Sequence, residues 1–346
     1  QDRRIKPEAN GSAGVLAIEK RGNVRTVKVT ARDEIIFKNY FVRDVFDPTN
    51  HLLAELIGDH NTLVVIDRAL PRGKKQAMRA YFNWHKLRAR IKVWKGGEVT
   101  KSMEEVMRLV HYARARGIAR KGLFVVVGGG ALMDMAGFAA AIYRRGTPYI
   151  KIPTTLLGQV NVGVAFKVGV NFERAKNFVG DFHPPLATLT DTTFLDSYPA
   201  KRHVRSGIGE MIKIAIASNA KLFSKLEAHA AQLLNGKDFH GRDAIVYEAA
   251  LEHAKHIAAD PMEEKSGQPH LFGHTLAHGI ETATDFRWAH GEAVAFDVLL
   301  SSRIAHNLGF LNDTAFGRIV KLYRSVGFLL SHPKVSRAFV EDGFRK

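Results

Sequence analysis

Leu123-Phe124-Val125-Val126-Val127-Gly128-Gly129-Gly130-Ala131-Leu132-Met133-Asp134 is the stretch that decides the fold. Its first five residues are apolar and rich in valine, which reads as a buried strand. Three glycines follow, and without a Cβ the backbone there can approach a ligand closely. Helix-forming, alanine-rich sequence runs from Met133 to Tyr143. A strand, a glycine turn and a helix N-terminus together make a seat for a phosphate or pyrophosphate, because free N–H groups and the helix dipole favour an anion. The spacing is not GxGxxG, so the turn alone is also compatible with a plain strand-helix connection.

Outward from this stretch the same alternation continues. Asn61–Asp67, Ile91–Trp94 and Tyr149–Ile152 read as strands, and Ser102–Ala115 carries the apolar spacing of an amphipathic helix (Met103, Val106, Met107, Val110). Strands alternating with helices predict a largely parallel, doubly wound sheet with its ligands at the strand C-terminal ends. Val162–Val179, with its glycines and branched residues, suggests a hairpin. From about Thr192 the pattern changes. Leu195–Gly207, Glu210–Ala231, Asp243–Ala259, His274–Ala283 and Ala293–Gly309 read as helices, and strand signals nearly vanish. These shifts predict an α/β domain over 1–185 and a helical domain over 186–346.

The composition narrows the class. At 346 residues, two domains are expected. No apolar run approaches the length of a membrane span, and no apolar segment follows the N-terminal residues as in a signal peptide. The chain has no cysteine, which excludes disulfides and thiolate ligands and fits a cytoplasmic protein. The formal charge of +17 raises the question of nucleic acid. The lysines and arginines are scattered rather than gathered among aromatics, so no nucleic-acid or membrane partner is expected, and the charge reads as a basic surface.

The chemistry-bearing residues lie further along. His274 and His278, four apart in a helical pattern, would share one face. Two of these three histidines, His274, His278 and His290, could join Glu210 in a set of two histidines and a carboxylate with an open position, common in catalytic zinc sites. With 16 histidines in the chain, chance pairs are expected too. HExxH is absent, so a zincin-type protease is excluded. Lys167, Lys176 and Asn177 on the hairpin, with Arg145, could hold a phosphate and several hydroxyls. Each could equally belong to a solvated basic face.

Taken in order, several motifs resemble the sugar phosphate cyclases, the 3-dehydroquinate synthase superfamily. They are Gly128-Gly129-Gly130 with Asp134, Arg144-Arg145-Gly146-Thr147-Pro148-Tyr149, Ile152-Pro153-Thr154-Thr155-Leu156, Lys167-Val168-Gly169-Val170-Asn171, Lys176-Asn177, Gly209-Glu210-Met211-Ile212-Lys213, Phe272-Gly273-His274-Thr275 and His290-Gly291-Glu292-Ala293-Val294. The resemblance spans about residues 60–330. It implies an α/β plus α protein, with an N-terminal Rossmann-like domain that binds NAD and a C-terminal helical domain that holds a Zn²⁺ or Co²⁺ ion. By motif it implies Glu210, His274 and His290 as metal ligands. Asp67, Glu98, Lys101, Gly129, Gly130, Asp134, Thr154 and Thr155 become the cofactor contacts. Arg145, Asn161, Lys167, Lys176, Asn177, Lys213 and His278 become the catalytic and substrate shell. A homodimer acting on a small sugar phosphate is the family expectation.

Departures from the pattern point to a branch. Asn161 stands where the family usually has an acid, and an amide cannot act as an anionic base. Gly267 and Leu271 stand where dehydroquinate synthases carry an arginine and an asparagine, so the expected clamp on a substrate carboxylate is missing. Tyr143–Tyr149, Phe166–Asn171 and Gln268–His274 look more like the cyclases of sedoheptulose 7-phosphate, whose products are 2-epi-5-epi-valiolone, 2-epi-valiolone or desmethyl-4-deoxygadusol. The first kind usually has an acid at Leu271 and a proline at His278; this chain has neither. His278 instead resembles the dehydroquinate and 2-deoxy-scyllo-inosose synthases. The combination makes 2-epi-valiolone the leading product. The alternatives are 2-epi-5-epi-valiolone synthase, desmethyl-4-deoxygadusol synthase, a divergent 3-dehydroquinate synthase, and a silent NAD- or sugar-phosphate-binding protein. Relatives run some tens of residues past the Ser331-His332-Pro333 region, where a further substrate contact is expected.

Overall fold

In the computed structural model, residues 15–343 are described apart from 22–23, 31–33, 174, 198–199, 237, 266–268, 285–286 and 332–334. Ten strands occur among the described residues: β1 Val15–Arg21, β2 Val24–Thr30, β3 Lys38–Phe41, β4 Thr62–Asp67, β5 Ala89–Trp94, β6 Leu123–Gly128, β7 Tyr149–Pro153, β8 Lys167–Phe172, β9 Ala175–Phe182 and β10 Ala187–Thr190. Six of them form one parallel sheet in the order β3-β10-β7-β6-β4-β5. β1–β2 and β8–β9 are separate antiparallel hairpins.

β4, β6, β7 and β10 are buried along their whole length, which explains their unbroken apolar runs. One face is covered by the helices Met103–Ala115 and Gly130–Ile142, the other by Leu52–Ile57 and Arg72–Trp84. Ser102 caps the helix it precedes by accepting from the Glu105 N–H, and Glu104 and Glu105 favour its positive end. The helix Gly130–Ile142 is apolar on nearly every side because the sheet lies beneath it and the β8–β9 hairpin above it. A Cβ at Gly137 would sit 2.6 Å from Val168 Cγ1, so this glycine lets the hairpin settle on the helix.

Several expectations change. The boundary after Pro185 falls short, because β10 pairs with both β7 and β3 and so extends the sheet to Thr190. The helix expected from Met133 begins at Gly130, with Gly129 as its N-cap. The helices expected over Leu195–Gly207 and Glu210–Ala231 are instead Lys201–Ser218, which runs through Gly207 and Gly209, and Ala220–Leu234, which restarts at Asn219. The Asn219 side chain accepts from the Leu222 N–H and caps the second helix. Among the described residues no helix is long and apolar enough to cross a membrane.

Two glycines explain the continuous helix Lys201–Ser218. It crosses the helix His290–Asn307 with backbones in contact. A Cβ at Gly209 would lie 2.0 Å from the Gly291 carbonyl oxygen, and one at Gly291 would lie 1.8 Å from the Ser206 carbonyl oxygen. The Gly291 N–H donates to Ser206 Oγ at 2.9 Å. Any side chain here forces the helices apart, and overpacking of this kind costs about 1–3 kcal/mol or more. Gly291→Ala is therefore expected to lower the melting temperature by several degrees and to weaken divalent-metal binding, as followed by thermal denaturation with and without added zinc. Wild-type values for both would show that the crossing tolerates a methyl group.

Candidate functional site

The strand order reverses between β4 and β6, since β4 leads outward to β5 while β6 leads to β7 on the other side. A crevice opens at such a point, beyond the strand C-termini. Asp67 ends β4 and Gly128 ends β6. A Cβ at Gly96 would lie 2.2 Å from Asp67 Oδ2, so glycine there leaves room for the carboxylate, whose Oδ1 accepts from the Ala69 N–H. The glycine turn also packs internally. Cβ atoms at Gly129 and Gly130 would lie 3.3 Å from Thr155 Cγ2 and 3.0 Å from Val162 Cγ2. The Thr154 N–H donates to the Gly128 carbonyl at 2.9 Å and the Gly158 N–H to Thr155 Oγ1 at 3.1 Å. The turn and the Thr154-Thr155 loop thus form one cradle, open toward Gly130, Ala131 and Asp134.

Lys101 joins this cradle to the hairpin. Its Nζ lies 2.6 Å from Asp134 Oδ2 and also donates to Asn177 Oδ1. Burial alone would lower its pKa, but Asp134 and Glu98 outweigh it and hold the ammonium charged above its ordinary value. Glu98 in turn accepts from the Asn171 amide at 2.9 Å.

The crossing helices bring Glu210 to His290. Glu210 is fully buried, with Oε1 3.1 Å from His290 Nε2 and Oε2 2.7 Å from Lys213 Nζ. Among the described residues neither oxygen has a partner aligned as a hydrogen bond. His274 Nε2 lies 4.0 Å from Oε1. The His274 Nδ1–H donates to the Phe272 carbonyl at 3.1 Å, which leaves Nε2 as a lone pair facing Glu210. The ligand atoms of Glu210, His274 and His290 all lie within 4.8 Å of one another. Burial would raise the Glu210 pKa, but Lys213, His290 and His274 outweigh it and keep the carboxylate ionised. Burial and Lys213 push His274 well below its ordinary value, whereas Glu210 and Glu281 raise His290 against burial and Lys176. A buried carboxylate without aligned donors, facing two imidazole Nε2 atoms, suits a zinc or cobalt ion.

His274 and His278 do not share a helix face as expected. The helix here is only Ala277–Ala283, and His274 stands ahead of it in a turn. That turn is fixed by Asp297, whose Oδ2 accepts from the Leu276 N–H at 2.6 Å. His278 lies instead beside Glu281, with Nδ1 3.4 Å from Oε2. Glu281 also sits 3.2 Å from His290 Nδ1 and accepts from Lys176. Burial is overcome by these three partners, and its carboxyl is held far below the usual range. Glu281 thus orients His290 by its far nitrogen, the arrangement that directs Nε2 at a metal. The second cluster of possible ligands, His278, Glu281 and His290, already holds the Lys176 ammonium and reads as support for the first.

A cavity of about 360 Å³ joins the cradle to this centre. Asn161, Lys167, Lys176, Asn177, Lys213 and His278 all line it. Each of its four lysines is paired with a carboxylate: Lys101 with Asp134, Lys167 with Glu263, Lys176 with Glu281, Lys213 with Glu210. Only Lys167 is more than half exposed. Arg145 is not brought to the cavity. It follows the helix that runs back from the glycine turn and lies exposed ahead of β7, toward the N-terminal ends of the strands, with φ +64°. Gly267 lies outside the described residues, while Leu271 and Ile257 line the cavity wall.

Four residues at the site were not picked out from sequence: His253, Glu263, Glu281 and Asp297. Burial lowers His253 to a pKa of about 3, and its Nδ1–H donates to the Val160 carbonyl at 2.9 Å. Glu281 stands three residues after His278, a spacing that would have signalled it. His253 and Asp297 lie within helical patterns with no local mark.

The fold and site define an α/β protein whose strand-end crevice opens onto a cluster of two histidines and a glutamate that could hold a metal ion. Residues 91–205 match the 3-dehydroquinate synthase N-terminal family and residues 207–342 the 3-dehydroquinate synthase C-terminal family. The chain is 35% identical over 321 residues to the 2-epi-5-epi-valiolone synthase of Streptomyces hygroscopicus subsp. jinggangensis (strain 5008), covering 88% of this chain and 77% of that one. It is 32% identical over 289 residues to the 3-dehydroquinate synthase of Thermoanaerobacter pseudethanolicus, covering 83% and 81%. Its structure matches that of ValA, a 2-epi-5-epi-valiolone synthase solved with NAD⁺ and Zn²⁺ bound, at a TM-score of 0.87 and 31% identity over 92% of this chain and 88% of that one. This protein therefore belongs to the 3-dehydroquinate synthase family of sugar phosphate cyclases.

The role of Glu281 is measurable. Glu281→Gln is expected to weaken zinc binding by about 10–100-fold, the usual cost of losing a carboxylate behind a ligating histidine. Competition with a chromophoric chelator would measure it, and wild-type affinity would remove Glu281 from the support of the metal.

Proposed function

We propose that this protein cyclises sedoheptulose 7-phosphate, with loss of phosphate, to a valiolone-type C7 cyclitol, with 2-epi-valiolone as the product. The observation that carries this reading is the cavity in which the cluster of Glu210, His274 and His290 meets four lysines beside the glycine cradle. The similarity to 2-epi-5-epi-valiolone synthases supports the substrate. Leu271 and Ile257 support it too, since an apolar wall offers no partner to a substrate carboxylate. The absence of an acid at Leu271, with a histidine at 278, is the reason for placing the product apart from 2-epi-5-epi-valiolone.

In this reading NAD, when bound, supplies reversible oxidation of one carbinol, and Zn²⁺ or Co²⁺ supplies Lewis acidity at the neighbouring oxygens. Asp67, Glu98, Lys101, Gly129, Gly130, Asp134, Thr154 and Thr155 hold the cofactor, and Glu210, His274 and His290 hold the metal. Lys167, able to leave Glu263, and Lys176 take the phosphate. Lys213 holds positive charge beside the reacting oxygens. Asn161 and Asn177 hydrogen-bond hydroxyls, and His278 exchanges protons. Arg145, remote from this cavity, would meet substrate only in an assembly. A homodimer, a cytoplasmic location and a division near residue 190 complete the proposal.

The test supplies purified protein with NAD and Zn²⁺ or Co²⁺, then either sedoheptulose 7-phosphate or 3-deoxy-D-arabino-heptulosonate 7-phosphate. Phosphate release with the first sugar alone is expected, and NMR of the cyclitol identifies the product. Release with the second alone would make the chain a divergent dehydroquinate synthase, a reading that the Thermoanaerobacter relative favours. Release with neither would favour a silent binding protein. Lys213→Ala should keep metal and NAD binding while phosphate release falls at least about 100-fold, the scale of a lost electrostatic or acid-base group. Undiminished release would exclude Lys213 from the reacting centre.

A further inference from the structure

Lys151 is fully buried in the middle of β7, although lysine is almost never found there unless paired. No carboxylate bonds it among the described residues. Its Nζ donates to the carbonyls of Val162 at 3.0 Å and Ala165 at 2.7 Å. Those carbonyls belong to the turn that presents Asn161 to the cavity and leads into Lys167.

The turn needs such a donor because its own hydrogen bonding is irregular. Gly158–Val162 is a π-helical turn, with the Gly163 N–H bonded to the Gly158 carbonyl. The Val164 and Ala165 N–H groups both converge on the Asn161 carbonyl. A widened turn of this kind leaves later carbonyls without a helical partner, and buried carbonyls require donors. Side chains supply them. Thr188, which pairs with Lys151 across β10–β7, donates from Oγ1 to the Gly163 carbonyl at 2.8 Å. His253 donates to the Val160 carbonyl from the helical side.

We propose that Lys151 is a positioning residue that fixes the turn 158–165 to the sheet and thereby sets Asn161 and Lys167 against the substrate. The inference rests on the cavity being the sugar-phosphate site. Burial pushes the Lys151 ammonium down to about 8 against the opposing charge of Asp134, which suits a group valued for its N–H bonds more than its charge. The two N–H bonds to the Val162 and Ala165 carbonyls are the contacts it makes with the turn.

Two variants of the full chain separate this role from simple core filling. Lys151→Met keeps the length and removes the donors. Lys151→Gln keeps two N–H donors on a slightly shorter side chain. Amide hydrogen exchange is read by mass spectrometry over 158–167, with β4 as the internal control, beside turnover and NAD affinity. The Met variant is expected to exchange at least tenfold faster over 158–167 with β4 unchanged. Its kcat/KM should fall at least tenfold while NAD affinity stays within twofold. The Gln variant should recover most of both losses. Wild-type exchange over 158–167 in the Met variant would overturn the proposal, as would a Gln variant no better than Met. If the Met variant does not fold, a Gln variant with wild-type melting temperature and exchange but lost turnover would overturn it, and retained turnover would uphold it. Should the wild type release no phosphate from either sugar, the function reading fails while the exchange experiment still decides the role of Lys151.

Discussion

The site depends on one contact, the passage of the Gly209 backbone against Gly291. Each glycine stands next to a residue of the metal-binding cluster, Glu210 on one helix and His290 on the other. Because the backbones touch, the carboxylate and the imidazole meet without either side chain reaching far. A wider crossing would separate them by more than a metal ion can bridge. Asp297, on the same helix as His290, then fixes the turn that carries His274. A single helix pair therefore organises Glu210, His274 and His290, drawn from distant parts of the chain.

Around that contact the charges alternate. Lys213, Glu210, His290, Glu281 and Lys176 form a buried series in which every carboxylate faces a cation or an imidazole. Such a series is costly to desolvate and strongly destabilised if one member is removed. Its value here is placement. Glu281 orients the far side of His290, and the two lysines stand at the two ends of the series. Lys101 extends the same logic to the cradle, where Asp134 and Asn177 tie the cofactor side to the hairpin.

Much of the α/β half was legible. β4, β5, β6 and β7 and the helix Met103–Ala115 fall close to their expected ranges, because long apolar runs and a capping serine carry strong local signals. β10 was missed because four residues, two of them threonine, give little periodicity, and its strand character comes from pairing with β7 and β3. The continuous helix through Gly207 and Gly209 was missed for a related reason. Glycines read locally as breaks, and only the facing Leu156 and Gly291 explain why they are needed. Among the site residues, motif order pointed to the cluster of Glu210, His274 and His290, but the shared helix face expected for His274 and His278 does not exist.

By itself the sequence determined the kinds of groups present: a buried parallel sheet, a glycine turn, two imidazoles with a carboxylate, and several lysines. These follow from residue identity and from patterns a few residues long. Tertiary structure decided which atoms face one another. It directed His274 Nε2 at Glu210 through the Phe272 carbonyl, paired each cavity lysine with its own carboxylate, and left Arg145 outside the cavity ahead of β7. It also placed Lys151 under a turn eleven to fourteen residues later in the chain. The physical reason is that such contacts join segments distant in sequence, and helix crossing and strand order, which no local pattern encodes, set their distances.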